Sequence, residues 1–486
     1  MLSPKSLATG LALVLCSPSL LAAESNSEPD LELDPVAVWG NDRMDPLLPD
    51  NLPSVQEGMV FSGKKTTAVD MDAQPIFVET NLRQIFARMP GLFVSEQKIP
   101  SIYNVNYRGL GDPHESEFVS FFQNWVPLAS DLFGYATIYH LPPAQRIDRV
   151  EFVRGGSGLL FGPQIGPAVN FVTYRADAQA DTGGSTEHSF GTDGFYSTYN
   201  EANWGDGTFG LMAAYDHRQA DGPRLNEDYD LDSGYFGISY EGIDDVRIGF
   251  DLDFYQSDSG EAGRLTSAEF AANRDLTKTP FNRVEIERQI AALTYDQQIS
   301  GEATLNGRLW YSYKDRFSRR SAAFVPPADE PATTDIDQQE FSTYGLDLRY
   351  ARGWSDRHVL TVGTTAYYTD SPRTRHVSSD IRSNVQRPED LLYDQDREIT
   401  YNAVFVENLF RFGDLSLAPA MRFERVNYDL FENVKQPNLE RDPIDVDTTE
   451  NELLFGLGAM FQLGQISEIY ANVSESYRPQ RFDDLA

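Results

Sequence analysis

The sequence predicts a mainly β chain in two parts: a small α+β domain up to about residue 180, then an antiparallel transmembrane β-barrel. Three observations predict it. From about residue 181 onward, segments of roughly ten residues alternate between apolar and polar side chains. Val246, Ile248, Phe250, Leu252 and Phe254, for example, alternate with Arg247, Gly249, Asp251 and Asp253. One lipid face opposite one wet face gives a membrane-barrel strand this pattern, although a soluble sandwich would share it. The connections decide between the two. Short turns such as Ile243-Asp-Asp245, Ser300-Gly-Glu302 and Phe412-Gly-Asp414 are separated by long polar loops near 219–232, 258–284, 319–338, 370–397 and 430–448. Short turns at one end and long loops at the other are the rhythm of a membrane barrel. Finally, mean hydropathy is −0.42, and no apolar run is long enough for a spanning helix. The 24 Tyr and 30 Phe can furnish interfacial girdles.

Taken in order, residues 1–23 read as a secretory signal peptide: Lys5, an apolar run from Leu7 to Leu15, and small residues before Glu24. Cys16 is the only cysteine, so the mature chain is expected to have no disulfide. Residues 24–53 form a polar tail rich in Asp, Glu and Pro, with one apolar island, Leu33-Asp-Pro-Val-Ala-Val-Trp39. An extended island in a flexible tail can pair with another protein's open sheet edge. Leu82, Ile85, Phe86 and Met89 fall at helical spacing, and Pro90-Gly91 ends that helix before a strand at Leu92–Val94. Around residues 148–175, a strand (Val150, Phe152) leads into a glycine turn (Gly155, Gly156, Gly158, Gly162). A second strand (Val169, Phe171, Thr173) follows. Tyr215, Tyr240, Tyr311, Tyr313, Tyr350 and Tyr368 fall near the loop-side ends of barrel strands, as an interfacial girdle would.

The stretch Asp148-Arg-Val-Glu-Phe-Val-Arg-Gly155, with Gly162-Pro-Gln164 and Val169-Asn-Phe-Val-Thr173, resembles the end of the plug domain of TonB-dependent outer-membrane receptors. The Gly-Pro-Gln variant is similar to the ferric dicitrate and siderophore branch. Leu82–Val94 and Tyr107-Arg-Gly109 resemble earlier plug motifs. The chain departs from the pattern at Asn124-Trp-Val-Pro127, where the family has Asp-Gly before the apolar residue, and at Gly166-Pro-Ala168, where relatives have a glycine run. The resemblance implies a plug over 54–180 and a partial barrel over 181–486. It also implies a TonB box in the tail at Asp34, Pro35, Val36, Ala37 and Val38. TonB, outer-membrane lipid and a scarce metal chelate, a ferric siderophore or ferric citrate, are the implied partners. The implied location is the outer membrane of a Gram-negative bacterium. About thirteen strands are expected, against roughly 22 in plugged barrels. The aromatic strand that ends such receptors is not found, so a fragment or a truncated gene product is expected. The competing reading is a non-transporting chain that is at most a ligand-binding plug module.

The same resemblance implies a latch in which Arg108 and Arg154 of the plug pair with Glu407 and Glu424 of the inner wall. For ligand, Arg373, Arg375, Arg382 and Arg387 lie in one loop with a single acid, Asp380, in a chain of formal net charge −34. Guanidinium forks suit carboxylate oxygens, and a basic mouth concentrates an anion. Tyr135, Tyr139 and His140 are expected at the plug apex, able to stack on a ligand. The acidic balance, 74 Asp+Glu against 40 Lys+Arg, excludes nucleic acid as a partner. No cofactor, metal site or enzymatic reaction is expected. Six histidines offer no HExxH spacing, and no Gly-x-Ser-x-Gly elbow occurs.

Overall fold

A computed structural model describes residues 51–75, 80–95, 100, 103–110, 118–132, 134–321, 333–355, 357–437, 439–463 and 467–485. The expected signal peptide and the box at Asp34–Val38 lie outside the described residues.

The N-terminal part opens with a hairpin of two short strands, β1 (Val55–Gln56) and β2 (Met59–Val60). Then come β3 (Lys65–Asp70), α1 (Leu82–Ile85), β4 (Leu92–Ser95) and β5 (Asn104–Tyr107). β6 (Ser120–Gln123), β7 (Val126–Pro127), β8 (Ile147–Arg154), α2 (Ser157–Phe161) and β9 (Ala168–Thr173) complete it. One sheet runs β3-β8-β9-β6-β7, with β6 parallel to β9. Helix α1 is shorter than its apolar spacing predicts. Beyond Ile85, Ala87 and Met89 donate to carbonyls three residues back, so the turn tightens before Pro90. The expected glycine turn after Arg154 contains α2, entered at Gly156 (φ 68°) and left at Gly162 (φ 114°), conformations that favour glycine.

The second part is a single antiparallel sheet. Its first strands are β10 (Gly183–Phe190), β11 (Tyr196–Gly205), β12 (Phe209–Ala220), β13 (Tyr229–Ile243) and β14 (Val246–Gly260). After helix α3 (Ser267–Ala272) come β15 (Arg283–Ser300), β16 (Ala303–Ser321), β17 (Thr334–Trp354), β18 (His358–Asp370) and β19 (Arg373–Ser378). β20 (Leu391–Phe412), β21 (Leu415–Val434), β22 (Asp445–Gln462) and β23 (Glu468–Ser474) end the sheet, and α4 (Phe482–Leu485) follows. Each strand pairs with the next, except that β19 extends the line of β18 between β17 and β20. The sheet curves around the N-terminal part, and among the described residues no pairing joins β10 to β23. The chain is thus a mainly β plug with a partly closed barrel. Strands reach 22 residues in β20 and run on past the apolar zone into acidic and basic residues. The long loops are correspondingly shorter than the sequence suggests, because backbone pairing persists in the polar segment.

Side-chain parity sorts the wall. Outward positions expose Phe236, Phe250, Leu252, Leu293, Leu309, Leu346, Val404, Phe423 and Phe455, each at least 37 % accessible. A contiguous apolar band of this extent on a sheet exterior marks a lipid face. Aromatics border it on both sides, which corrects one expectation. Tyr215, Tyr313 and Tyr368 lie toward the long loops, but Tyr240 and Tyr350 lie near the short turns, beside Ile243 and Trp354. Inward positions pack against the plug. Phe121, Val150, Phe152 and Phe171 of the plug share one core with Trp310, Tyr367, Tyr401 and Tyr428 of the wall.

Candidate functional site

The plug is held by charges that face it from the wall's inward positions. Gly63 (φ 76°) lies so close to β22 that a Cβ there would stand 2.6 Å from the Ala459 nitrogen. This approach delivers Lys64, whose Nζ donates to Glu407 Oε1 at 2.5 Å, with side chains only 2 % and 6 % exposed. Arg146 pairs with Asp253, Glu57 with Arg308, and Arg175 with Asp251 at 2.5 Å. Wall cations also donate to plug carbonyls. Arg288 reaches Leu128 O (3.1 Å) and Pro127 O (3.2 Å), Arg349 reaches Leu160 O (2.8 Å), and Arg422 reaches Leu159 O (3.4 Å). Lys314 donates to Ser130 Oγ at 2.8 Å.

This corrects the expected latch of Arg108 and Arg154 with Glu407 and Glu424. The structure does not bring those pairs together. Arg154 turns back on its own sheet, donating to Thr66 O (3.2 Å) and to Thr67 Oγ1, with its guanidinium 4.7 Å from the Phe152 ring centre. Arg108 lies 5.1 Å from the ring centre of Tyr107. Glu407 is taken by Lys64. Glu424 is neutralised within the wall by Arg422 Nε (2.5 Å) and Tyr401 OH (2.8 Å). Arg154 thus bonds through one nitrogen within the plug sheet, and both wall carboxylates are engaged by other cations, Lys64 and Arg422.

Above the plug, the mouth gathers cations and aromatic rings. Arg373 and Arg375 turn toward Tyr393, their guanidinium carbons 5.5 and 5.4 Å from its ring centre. Arg375 is already paired with Asp337 at 2.6 Å. Arg373 and Arg397, on neighbouring strands, converge on the Asp483 carboxylate of α4 at 3.7 and 3.5 Å. Phe482 beside it is buried edge-on against Tyr428. Arg316, buried, makes no ion pair among the described residues and lies 5.8 Å from the ring centre of Tyr139. Arg382 and Arg387 are exposed on the outer loop, away from this cluster.

At the plug apex, Tyr135 is half-buried, stacked on Phe341 and hydrogen-bonded to the Tyr139 hydroxyl at 2.7 Å. Tyr139 and His140, expected to present their rings to a ligand, are instead packed into the seam, 5 % and 3 % exposed. His140 sits edge-on to Tyr255. Burial, and then the positive charges of Arg288, Lys314, Arg146 and Arg218, hold the His140 imidazole well below its ordinary pKa. Burial likewise raises the Tyr139 phenol. On the outer face His217, Asp230 and Asp232 lie together, and both His217 and Tyr215 hydrogen-bond Asp232. Sequence reading missed Lys64, Arg146, Arg288, Lys314, Arg316 and Arg397. Their only signal is placement on the polar parity of a strand or in a plug loop.

A plug threaded into an antiparallel wall has a close counterpart among family models. Residues 239–486 match the TonB dependent receptor-like β-barrel, and residues 62–166 match the TonB-dependent receptor plug domain. The chain belongs to the TonB-dependent receptor family. This family is one of outer-membrane transporters and receptors. Solved structures share the receptor fold at low identity. The ferric citrate transporter FecA in its unliganded form superposes with TM-score 0.74 at 18 % identity, covering 87 % of this chain and 64 % of that one. The ferric yersiniabactin uptake receptor FyuA from Yersinia pestis gives 0.68 at 15 %, covering 86 % and 65 %. The copper transporter OprC gives 0.66 at 14 %, covering 88 % and 64 %. This receptor chain thus spans slightly less than two thirds of each of those three.

Proposed function

We propose that this receptor resides in the outer membrane of a Gram-negative bacterium and imports a scarce, anionic metal chelate, a ferric siderophore or ferric citrate. The observation that carries the ligand class is the convergence of Arg373 and Arg397 on one carboxylate, Asp483. A guanidinium pair already arranged around carboxylate oxygens, beside Tyr393 and Tyr135, is suited to a carboxylate-bearing chelate that displaces Asp483. Arg316 supplies further positive charge nearby. The exposed apolar band between two aromatic rings supports the membrane placement. Box residues Asp34–Val38 add as a strand to TonB. Tension on the tail then shifts the plug elements that follow it, and the ligand passes without chemical change. The names of similar receptors, for ferric citrate, ferric yersiniabactin and copper, agree with a metal or metal-chelate cargo.

Titration of the full-length receptor with ferric citrate, a ferric hydroxamate and a corrinoid, each at low and high salt, tests this. The anionic chelate should bind most tightly and weaken with salt, because an exposed mouth is screened. Tight binding of the neutral corrinoid alone, with no salt effect, would overturn the anionic reading.

A further inference from the structure

An imidazole and two carboxylates meet on the outer face where the hairpin of β12 and β13 nears its loop. His217 stands opposite Asp232 in the ladder, and Gln219 opposite Asp230. Positions two apart on a strand share a face, so all four side chains lie on the same side. Ligand atoms of His217, Asp230 and Asp232 all lie within 4.8 Å of one another. His217 Nδ1 is 3.0 Å from Asp232 Oδ1, and its Nε2 is 3.4 Å from Gln219 Oε1. Tyr215, the next outward position toward the apolar band, donates its hydroxyl to Asp232. Both ring nitrogens thus face an oxygen. That suits a ring that donates from Nε2 and offers its Nδ1 lone pair to a cation. Charge compensation sets the trio apart from its neighbours. Asp228 and Asp258 share Arg283, each at 2.7 Å. Among the described residues His217 is the one ion-pair partner of Asp232, and the Asp230 carboxylate makes no ion pair or hydrogen bond. Asp258 stands opposite Asp230 on β14, which adds to the negative potential there.

We propose that His217, Asp230 and Asp232 bind one divalent transition-metal ion of the zinc class across β12 and β13. The donor set decides the class. An imidazole nitrogen with two carboxylates suits Zn²⁺ and its neighbours in the series, whereas Mg²⁺ and Ca²⁺ take oxygen ligands. Tetrahedral Zn²⁺ with ligands at about 2.0–2.1 Å holds their atoms roughly 3.3 Å apart. The 3.0 Å spacing of His217 and Asp232 is close to that, and the exposed Asp230 side chain need only rotate to close the third side. Water completes the sphere. Gln219 and Tyr215 become the outer partners that orient His217 and Asp232. The ion ties the two strands together at the base of their connection, residues 221–228. Its ligands stand on the outer face of the wall, so the inference is independent of the cargo and of coupling to TonB.

The test is calorimetric titration of the full-length receptor in detergent, stripped with EDTA and dialysed, with Zn²⁺, Mg²⁺ and Ca²⁺ and no chelate cargo present. The parent should take up one equivalent of Zn²⁺ that His217→Gln and Asp230→Asn both lose. Gln219→Ala should keep that equivalent but weaken it roughly tenfold, the effect of removing an outer partner. Millimolar Mg²⁺ or Ca²⁺ should not displace it. Melting temperature gives a second reading. Asp230 bonds to no described residue, so Asp230→Asn should melt with the parent in EDTA, and Zn²⁺ should raise the parent's transition alone. Equal uptake of Zn²⁺ by the parent and both ligand variants overturns the proposal, as does a parent that takes up none. Displacement by millimolar Mg²⁺ or Ca²⁺ also overturns it, in favour of an acidic surface that gathers any divalent ion.

Discussion

Charged side chains at the seam are worth most where both partners are dry. Lys64 and Glu407 are such a pair, and removing one partner leaves a buried charge alone. Lys64→Met should destabilise the full-length receptor by about 3 kcal/mol and raise leakage of small antibiotics. Lys64→Met combined with Glu407→Leu should recover much of the loss, and differential scanning calorimetry in detergent checks both. Arg154→Ala breaks bonds inside the plug sheet only, so it should leave leakage close to the parent's. His140 gives a prediction in pH. The folded imidazole stays neutral, while the unfolded chain takes up a proton below about pH 6.5. Its contribution to stability is therefore complete above that value and is lost as pH falls toward the depressed folded pKa. His140→Gln should flatten the dependence of melting temperature on pH between about 6.5 and 5. An unchanged slope would mean that the imidazole is accessible to protons in the folded plug.

The elements differ in how far they could be read in advance. The wall was legible because period-two alternation is a local property: β14, β16 and β21 follow the pattern of Val246–Phe254 and its counterparts. Their polar ends look like loops in sequence, since Asp, Arg and Gln carry no strand signal of their own and only the neighbouring strands keep them paired. In the site, the cluster Arg373–Arg387 was visible as charge, yet only Arg373 and Arg375 face the mouth. The seam was not legible, because Lys64 and Glu407 are 343 residues apart and every inward polar residue is an equal candidate until the plug's shape selects one. Helix α2 shows the same limit. Its glycines signal a turn, but the arginines that reach its last carbonyls, Arg349 and Arg422, come from distant strands. Gly162 leaves that helix at φ 114° and ψ −178°, a region essentially confined to glycine, so Gly162→Ala should cost the plug about 1–3 kcal/mol in backbone strain. Faster cleavage of the plug by trypsin in the intact receptor would report it.

Over the whole molecule, charge is segregated. The chain is strongly acidic, while cations concentrate where plug, wall and mouth meet. If Asp483 stands where a ligand carboxylate binds, Asp483→Asn should tighten binding of ferric citrate several-fold and Arg397→Gln should weaken it about tenfold, the effect of one charge-assisted hydrogen bond. Arg382→Gln, outside the cluster, should be neutral in the same titration. If the box proposed at Asp34–Val38 couples this receptor to TonB, coupling is separable from binding: Val36→Pro removes a backbone donor from it, so uptake should cease while ligand affinity is unchanged. Normal uptake by that variant would place the docking segment elsewhere. The order of the plug sheet would give these two proposed activities a mechanical division of labour. Among the described residues β3 is an edge strand, paired with β8 alone. A load entering from the tail therefore meets β1, β2 and β3 before any interior strand. An edge strand can be drawn off without rupturing the ladders that join β8, β9 and β6. Under the proposed function, the part of the plug that bears the pull is thus expendable, while the part beneath the mouth can remain standing and reset the gate once the pull is released.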